Sequence, residues 1–327
     1  MKVIFLTESG KNIGLGHLTR CIAIADAFET RKINTFFIIN GQNNIKNVMG
    51  KKKYKILNWL KNEKKVFKLL KDYDSIVIDS YLASKSFYIK LSKLKKLCIY
   101  IDDNKRISYP KGIVLNGNIY ARDLNYPKNK NIKYLLGLKY LPIRKEFLDE
   151  HGFVVNKKVK QILITLGGSD VRNMSYKLGR LLKNEFPNIN IFIILGSNFK
   201  YLNKYKDQIK KEFNLYIDPD VKKLKKIMLN SDIAISSGGQ TIYELMHIGL
   251  PSVSLLLAHN QLDNIKILKE LKLSYYVGKW NDKYLNKKII KTIKFIMKYR
   301  VRKKINKKYK TILNKNDFNN KIFTFLD

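Results

Sequence analysis

A glycine-rich turn near the N-terminus carries residue types that suit chemistry on an anionic substrate. The chain reads Gly-Leu-Gly-His-Leu-Thr-Arg over residues 14–20, after an apolar run at 3–7 and at the start of a helical pattern. Glycines let a backbone approach a ligand closely, and a helix N-terminus offers free N–H groups to an anion. His17 could act there as a base or a hydrogen-bond donor, or it could cap the first turn of its own helix.

This turn differs from two familiar phosphate-binding motifs. A dinucleotide-binding fingerprint needs a third glycine at a fixed spacing, which residues 14–20 lack. The turn also lacks the Gly-Lys-Ser/Thr ending of a P-loop. The sequence therefore predicts an anion-binding turn that holds a histidine, of neither of these two kinds.

A second turn of small residues occurs in the C-terminal half. The chain reads Ser-Ser-Gly-Gly-Gln-Thr over residues 236–241, between an apolar run and a helical pattern. Such a turn suits a diphosphate that rests on backbone N–H groups. Glu244 follows about one turn into the helix, where its carboxylate could accept hydrogen bonds from a ribose diol or complement the helix dipole.

Other polar groups follow apolar runs elsewhere in both halves. They are Asp79-Ser80-Tyr81, Asp102-Asp103, Gly167-Gly168-Ser169-Asp170 with Asn173, and His259-Asn260-Gln261. No pair of acids stands at metal-ligand spacing with a histidine, so we predict no metal site. Neighbouring strand residues point in opposite directions, which argues against a magnesium site at residues 102 and 103.

The elements that position these turns alternate between apolar runs and amphipathic segments. The runs are residues 3–7, 34–39, 75–79, 97–102 and 113–116, followed by 161–168, 189–196, 232–239 and 251–257. Continuous apolarity predicts strands buried on both faces of a parallel sheet. We predict an α/β protein of two Rossmann-like domains, residues 1–150 and 151–327, that face each other across a cleft.

The composition limits the class of protein. The 327 residues are 45% hydrophobic, which excludes disorder, and two cysteines exclude a disulfide scaffold. No apolar stretch reaches the roughly 18 residues of a membrane span, and the N-terminal apolar run is too short for a signal peptide. We expect a cytoplasmic protein without an integral membrane segment.

The net charge of +39 comes from 65 Lys and Arg residues against 26 Asp and Glu. Only nine of these cations are arginine, the better reader of phosphates and bases, and many lysines stand on solvated helix faces. We therefore predict no nucleic-acid partner. Lysine and arginine are densest in residues 287–308, and this segment could make weak contact with an anionic membrane.

In combination, the motifs resemble the glycosyltransferase-B superfamily. Within it, they are most similar to the UDP-2,4-diacetamido-2,4,6-trideoxy-β-L-altropyranose hydrolase family of pseudaminic acid biosynthesis. The resemblance covers roughly residues 1–277, and the chain departs from it at Ser80, where the family pattern has histidine. The matching motifs are residues 14–20, 79–81, 102–103, 116–118 with Tyr120, 137–147, 167–170 with Asn173, 237–245, 249–251 and 260–261.

The resemblance implies an enzyme that hydrolyses a UDP-linked sugar, with inversion at the anomeric carbon. His17 would orient or deprotonate the attacking water, the C-terminal domain would bind UDP, and the N-terminal domain would face the sugar. No cofactor or metal is implied, and we expect a monomer. The substrate-binding residues would be Gly14, Gly16, Arg20, Tyr81, Asn118, Arg144, Gly168, Asp170, Asn173, Ser236, Ser237, Gly238, Gly239, Gln240, Thr241, Glu244, Asn260 and Gln261.

Three alternatives stay open. One is a UDP-sugar glycosyltransferase of the glycosyltransferase-B type that acts in cell-surface polysaccharide or peptidoglycan synthesis. Another is a UDP-sugar epimerase-hydrolase of the sialic acid type, which has the same architecture. The third is a basic binding protein, for which the polar turns would have no catalytic role.

Overall fold

The computed structural model describes residues 1–10, 13–41, 45–94, 96–148, 152–168, 170–196, 199–313, 318 and 322–323. The chain divides into two compact units. Unit 1 comprises Met1–Lys145 and Lys315–Asp327, and unit 2 comprises Glu146–Asn314. Each unit contains one parallel sheet covered by helices.

The sheet of unit 1 has seven parallel strands in the order β3-β2-β1-β4-β5-β6-β7. The chain runs outward from β1 in one direction and from β4 in the other, so the order reverses between these two strands. Ligands of open parallel sheets bind at the carboxyl side of such a reversal. The strands are β1 (Lys2–Glu8), β2 (Asn34–Asn40), β3 (Tyr54–Ile56), β4 (Ser75–Asp79), β5 (Leu97–Ile101), β6 (Gly112–Asn116) and β7 (Ile132–Leu136).

Alternate side chains of β1 pack into two different apolar layers. Val3 and Phe5 belong to the layer that contains the first helix, and Ile4 and Leu6 belong to the layer on the opposite face. All four side chains are fully buried, which explains the continuous apolar run in the sequence. The helices of unit 1 are α1 (Gly16–Thr30), α2 (Lys46–Met49), α3 (Glu63–Leu70) and α4 (Lys85–Ser92), with a 3₁₀ helix at Leu138–Tyr140.

Residues from the far end of the chain complete the first apolar layer. Phe318, Ile322 and Phe323 are buried in it. The Phe323 ring packs edge-on against Phe28, with ring centres 5.6 Å apart, and the Arg31 guanidinium lies 3.9 Å from its centre. These residues therefore stabilise unit 1 although they follow unit 2 in the chain.

Unit 2 repeats the same arrangement with six parallel strands in the order β10-β9-β8-β11-β12-β13. Here the order reverses between β8 and β11. The strands are β8 (Gln161–Thr165), β9 (Asn190–Leu195), β10 (Asn214–Ile217), β11 (Ile233–Ser237), β12 (Ser252–Leu256) and β13 (Ser274–Lys279). The helices are α5 (Met174–Glu185), α6 (Leu202–Glu212), α7 (Val221–Leu229), α8 (Gln240–Ile248), α9 (Leu262–Glu270), α10 (Leu285–Ile296) and α11 (Tyr299–Leu313).

The structure confirms the predicted class of two parallel-sheet α/β units. Every strand predicted from an apolar run is present, whereas four strands were not predicted: β3, β7, β10 and β13. These four are the edge strands of the two sheets. Edge strands are partly exposed, so their sequences carry polar residues and lack a continuous apolar run. None of the helices in the described ranges has the length and apolarity needed to cross a bilayer.

Candidate active site

The turn after β1 delivers His17 to the carboxyl side of the unit 1 sheet. Gly10 and Gly14 pair across this turn, with the Gly14 N–H donating to the Gly10 carbonyl at 2.7 Å. Gly14 has a φ of +76°, a conformation that favours glycine. Gly16 begins α1, and a Cβ there would meet no described residue beyond its chain neighbours and its own helix backbone within 4 Å, which leaves room for a ligand.

His17 forms a close pair with Asp79, the last residue of β4. Its Nδ1 lies 2.5 Å from Asp79 Oδ1, and both side chains are buried. Burial alone would raise the pKa of the Asp79 carboxyl, but Arg20 and His17 hold it below its ordinary value. An ionised carboxylate only accepts hydrogen bonds, so the 2.5 Å contact with Asp79 favours a proton on Nδ1, although Arg20 Nη2 also lies 3.1 Å from that atom. With the proton on Nδ1, the Nε2 atom of the imidazole has a free lone pair and can act as a base.

Arg20 lies one turn after His17 on α1 and joins two carboxylates. Its Nε donates to Asp79 Oδ2 at 2.5 Å and its Nη2 to Asp79 Oδ1 at 2.8 Å. Its Nη1 lies 2.7 Å from both oxygens of Asp103. Burial would lower the pKa of Arg20, but Asp103 and Asp79 raise it well above its ordinary value. The guanidinium thus stays charged and fixes the orientation of Asp79.

Asp103 is the second centre of this network. Its carboxylate accepts a hydrogen bond from the Tyr81 hydroxyl and another from Asn118 Nδ2 at 2.7 Å. Burial would raise its pKa, but Arg20 and the hydrogen bonds lower it to about 2. The Tyr81 ring packs edge-on against His17, with ring centres 4.3 Å apart. We name these side chains the His17 cluster: His17, Arg20, Asp79, Tyr81, Asp103 and Asn118.

Glu8 supports the segment that carries Tyr81. This fully buried residue ends β1, and its carboxylate accepts hydrogen bonds from the Ser80 hydroxyl and, at 3.4 Å, from the Tyr81 N–H. Ser80 Oγ in turn accepts from the backbone N–H of Ala83 at 2.9 Å. Burial raises the pKa of Glu8 above its ordinary value. Its contacts give Glu8 a supporting position next to the cluster.

Asp102 and Asp103 have different partners, as expected for neighbouring residues at a strand end. Asp102 accepts a hydrogen bond from the Tyr126 hydroxyl at 2.7 Å, and burial raises its pKa. Asn116 Oδ1 accepts from Asn118 Nδ2 at 2.9 Å and so holds that side chain beside Asp103. Over the described ranges of the chain, no group of three or more His, Cys, Asp or Glu side chains is arranged to hold a metal ion.

The structure brings four of the predicted unit 1 residues together, namely His17, Arg20, Tyr81 and Asn118. Arg144 is half-buried beside the boundary residue Lys145, and we do not assign it to the cluster. Glu8, Asp79 and Asp103 were not among the predicted site residues. The sequence signal for all three is an acid at the end of an otherwise apolar run.

In unit 2, the serine-glycine turn (residues 236–241) connects the end of β11 to the start of α8. A Cβ on Gly238 would lie 2.5 Å from Ile265 Cγ1, so only glycine fits there without displacing α9. Asn264 Nδ2 donates to the Gly238 carbonyl at 2.8 Å. Gly239 is the N-cap of α8. Because glycine has no side chain, it cannot cap the first N–H groups of this helix.

Ser236 and Glu244 flank this turn with buried polar groups. The Ser236 hydroxyl is fully buried and has no hydrogen-bond partner among the described residues. Glu244 is buried on α8, one turn after its first residue Gln240. Buried polar groups normally have partners, so the Ser236 hydroxyl is a candidate for a bound ligand or water.

The loop that contains Asn260 and Gln261 begins after β12. Gln261 Oε1 accepts the Leu257 N–H at 3.1 Å, and its Cβ lies 3.1 Å from the Cβ position of Gly238. The structure therefore brings Gln261 to the serine-glycine turn, as a shared site requires. Asn260 is exposed.

The glycine loop after β8 holds three predicted residues. Gly168 packs so closely against Gly196 that a Cβ on Gly196 would overlap its carbonyl oxygen. Both oxygens of Asp170 accept backbone N–H groups of α5, from Met174 at 3.0 Å and Ser175 at 2.8 Å. Asp170 thus caps α5.

Asn173 Oδ1 is buried without a hydrogen-bond partner among the described residues, so it could accept a hydrogen bond from a ligand. Ser169 lies outside the described residues.

Comparisons with known proteins help to interpret the candidate site. No family model matches the chain. It is 28% identical over 274 residues to the Helicobacter pylori protein named pseudaminic acid cytidylyltransferase and UDP-2,4-diacetamido-2,4,6-trideoxy-beta-L-altropyranose hydrolase, covering 83% of this chain and 47% of that protein. It is 27% identical over 257 residues to the Campylobacter jejuni hydrolase of the same name, covering 75% and 88%. The predicted resemblance to this hydrolase family is confirmed.

A further relative is an uncharacterized protein of Methanocaldococcus jannaschii, 28% identical over 273 residues, with 78% of this chain and 55% of that protein covered. The chain thus spans about half the length of this relative and of the Helicobacter pylori protein.

Solved structures show the fold. The spinosyn rhamnosyltransferase SpnG complexed with thymidine diphosphate superposes with a TM-score of 0.70, at 9% identity, over 100% of both chains. MurG of Acinetobacter baumannii gives a TM-score of 0.63, at 13% identity, over 95% of both chains. These neighbours confirm the glycosyltransferase-B fold with its two Rossmann-like units.

Proposed function

We propose that the chain hydrolyses a UDP-linked diacetamido-trideoxy sugar to the free sugar and UDP, as a step of nonulosonic (pseudaminic) acid biosynthesis. The observation that carries this proposal is the buried pair of His17 and Asp79, which leaves Nε2 available as a base. The names of the relatives supply the substrate class.

The reaction needs one base and a stabilised leaving group. His17 Nε2 takes a proton from a water molecule whose oxygen forms a bond to the anomeric carbon. The bond from that carbon to the phosphate oxygen breaks, and UDP leaves with the electron pair. Attack from the face opposite UDP inverts the anomeric carbon. Asp79 stabilises the imidazolium that forms, as the carboxylate of a serine-protease triad does.

We assign the UDP half of the substrate to unit 2. The N-terminus of α8 and the backbone of the serine-glycine turn would accept the diphosphate, whose negative charge grows as the bond breaks. Ser236 would donate its hydroxyl proton, and Glu244 would accept from the ribose diol. Gly168, Asn173, Asn260 and Gln261 are candidate contacts around the nucleotide.

We assign the sugar half to the His17 cluster. Tyr81 and Asn118 each use a donor on Asp103, so the Tyr81 oxygen and Asn118 Oδ1 keep acceptor capacity. The two acetamido groups of the proposed sugar carry N–H donors that suit such acceptors. Arg20 acts through its ion pairs with Asp79 and Asp103 and positions the cluster.

A glycosyltransferase reaction is the second candidate, because solved structures of similar fold include a rhamnosyltransferase. In that case an acceptor hydroxyl would replace the water. Purified protein incubated with UDP-2,4-diacetamido-2,4,6-trideoxy-β-L-altropyranose and no acceptor separates the two. We expect release of UDP together with free sugar whose first anomer, followed by ¹H NMR, is inverted. Release that occurs only when an acceptor sugar is added would overturn the hydrolase and favour the transferase.

A further inference from the structure

A groove on unit 2 lies outside every predicted site residue. It has a volume of about 510 Å³ and runs between α5 and α10, next to the segment that follows β13. We call it the α5–α10 groove. Sites for small molecules in proteins have volumes of roughly 300–1,000 Å³, so the groove has room for a compact organic ligand.

The floor of the groove is apolar. Met174, Leu178 and Leu285 line it and are buried. The indole of Trp280 adds a flat aromatic surface, and the Arg172 guanidinium lies 4.5 Å from its ring centre. The Arg172 guanidinium covers part of the indole, and the rest of the ring surface is available to pack against a ring or an apolar chain.

The rim of the groove is cationic. Lys177, Arg180 and Lys283 line it and are exposed. Asp282 is the one acid among the lining residues, and it is already engaged: it accepts from Lys288 Nζ at 2.5 Å and from the Tyr284 N–H at 2.9 Å. Three exposed cations therefore surround the groove, against one acid among the described lining residues.

We propose that the α5–α10 groove binds a small organic anion with an aromatic or apolar body. The body packs on the Trp280 indole, and a carboxylate, phosphate or sulfonate meets Lys177 and Arg180. Arginine suits such groups because its planar fork can form two parallel hydrogen bonds to one anion. The site is independent of the proposed hydrolysis, since it shares no residue with the His17 cluster or the serine-glycine turn.

The groove borders the first turn of α5. Met174 is the first residue of α5, and its backbone N–H is held by Asp170 of the glycine loop. Arg172 lies in the same loop and packs on Trp280. A ligand in the groove would therefore touch the helix that begins where that loop ends.

Trp280 makes the proposal measurable, because the chain has only two tryptophans and the other, Trp59, is buried in unit 1. In a Trp59→Phe background, and with excitation at a wavelength that tyrosine does not absorb, Trp280 is the sole energy donor to a bound 8-anilinonaphthalene-1-sulfonate. We expect saturable energy transfer with one probe per chain. N-phenyl-1-naphthylamine, which lacks the sulfonate, should bind at least about tenfold more weakly.

Charge variants on α5 locate the anion. Lys177→Glu with Arg180→Glu should raise the dissociation constant of the sulfonate probe at least about tenfold. Lys183→Glu is the matched control on the same helix: Lys183 donates to the Glu212 carbonyl and does not line the groove, so its variant should bind within about twofold of the parent. If the double reversal unfolds the chain, Lys177→Gln with Arg180→Gln replaces it with the same expected direction.

Three results would overturn the proposal. They are energy transfer that does not saturate, equal affinity for the charged and uncharged probes, and equal affinity of the parent and the neutralised double variant. Because UDP is absent from these titrations, their outcome does not depend on whether the chain hydrolyses a UDP-sugar.

Discussion

The two sheets of the molecule share a strand order but end in different chemistry where that order reverses. In unit 1, the adjacent strands β1 and β4 end in two acids, Glu8 and Asp79, and Arg20 forms an ion pair with Asp79. In unit 2, the adjacent strands β8 and β11 lead into glycines and hydroxyls. Topology therefore predicts where a ligand would bind, and the residue types at the strand ends limit the chemistry that is available there.

The comparison suggests that the two units have different functions. Ionised side chains that hold a histidine suit proton transfer, whereas backbone N–H groups and a helix N-terminus suit a charged diphosphate. Under this division, changes in the unit 1 site should alter turnover and leave UDP binding intact. Changes in the serine-glycine turn of unit 2 should weaken UDP binding and leave the rate of the chemical step intact.

The largest effect is expected for His17→Asn. Without the base, kcat should fall by about 10³-fold, which corresponds to about 4 kcal/mol in the barrier. UDP affinity, measured by calorimetry, should stay within about twofold because the variant lies in unit 1. His247→Asn is the matched control in unit 2, since His247 Nδ1 contacts the Tyr243 carbonyl of its own helix. Normal turnover by the His17 variant would disprove the base assignment.

Asp79→Asn tests whether the carboxylate sets the tautomer of His17. An asparagine amide that donates to Nδ1 would move the imidazole proton to Nε2, so kcat should fall about 10²-fold with little change in KM. The ¹⁵N shifts of the His17 ring should report the change of tautomer. Asp26→Asn is the control, because it removes another ion pair of α1, that of Asp26 with Lys52 at 2.6 Å. An unchanged tautomer together with unchanged kcat would contradict the proposed role.

The sequence predicted the interior of each sheet and missed its edges. Strands such as β1 and β11 are buried on both faces, so their apolar runs are continuous and easy to recognise. The edge strand β7 reads Ile-Lys-Tyr-Leu-Leu and exposes Lys133, so its pattern is interrupted. Segments of this kind become strands because a neighbouring strand offers hydrogen bonds. Which strand will be the neighbour cannot be read from the segment's own sequence.

The sequence located the turns of the candidate site but not the partnerships within it. Glycines and polar residues after apolar runs pointed to His17 and to the serine-glycine turn. The pair of His17 and Asp79, however, joins residues 62 positions apart, and Asp103 meets Arg20 across 83 positions. Such contacts depend on which strands become neighbours in the sheet. A strand-ending acid is therefore recognisable in the sequence, but its partner is not.

Acid should weaken unit 1 through Asp103. Its folded pKa of about 2 lies below its ordinary value of 3.8, so its stabilising contribution is complete above pH 4 and is lost as the pH falls towards 2. The difference corresponds to about 2 kcal/mol. In a Trp280→Phe background, urea unfolding followed by Trp59 fluorescence should show this gap between the parent and Asp103→Asn at pH 5. The gap should shrink to less than half at pH 2.5, and a gap that stays constant would contradict the assignment.

The contribution of Asp170 to the stability of unit 2 should depend on pH in the opposite direction. Burial raises the pKa of this carboxyl, so its contribution is present at low pH and declines as the pH rises through the folded value. In a Trp59→Phe background, Trp280 fluorescence follows unit 2. The gap between the parent and Asp170→Asn should therefore grow on acidification, whereas the Asp103 gap in unit 1 shrinks.

Two neighbouring glycines of the serine-glycine turn should separate folding from binding. A Cβ on Gly238 would collide with Ile265, so Gly238→Ala should lower the melting temperature by several degrees. Among the described residues, the nearest atom to a Cβ on Gly239 is Ser237 Oγ at 3.8 Å, an ordinary contact distance, so Gly239→Ala should fold normally. If a diphosphate approaches this backbone closely, the same variant should bind UDP about tenfold more weakly, a change of about 1.4 kcal/mol, while His17-dependent chemistry at saturation persists. Unchanged UDP affinity in Gly239→Ala would place the diphosphate elsewhere and remove the proposed contrast between the two sheets.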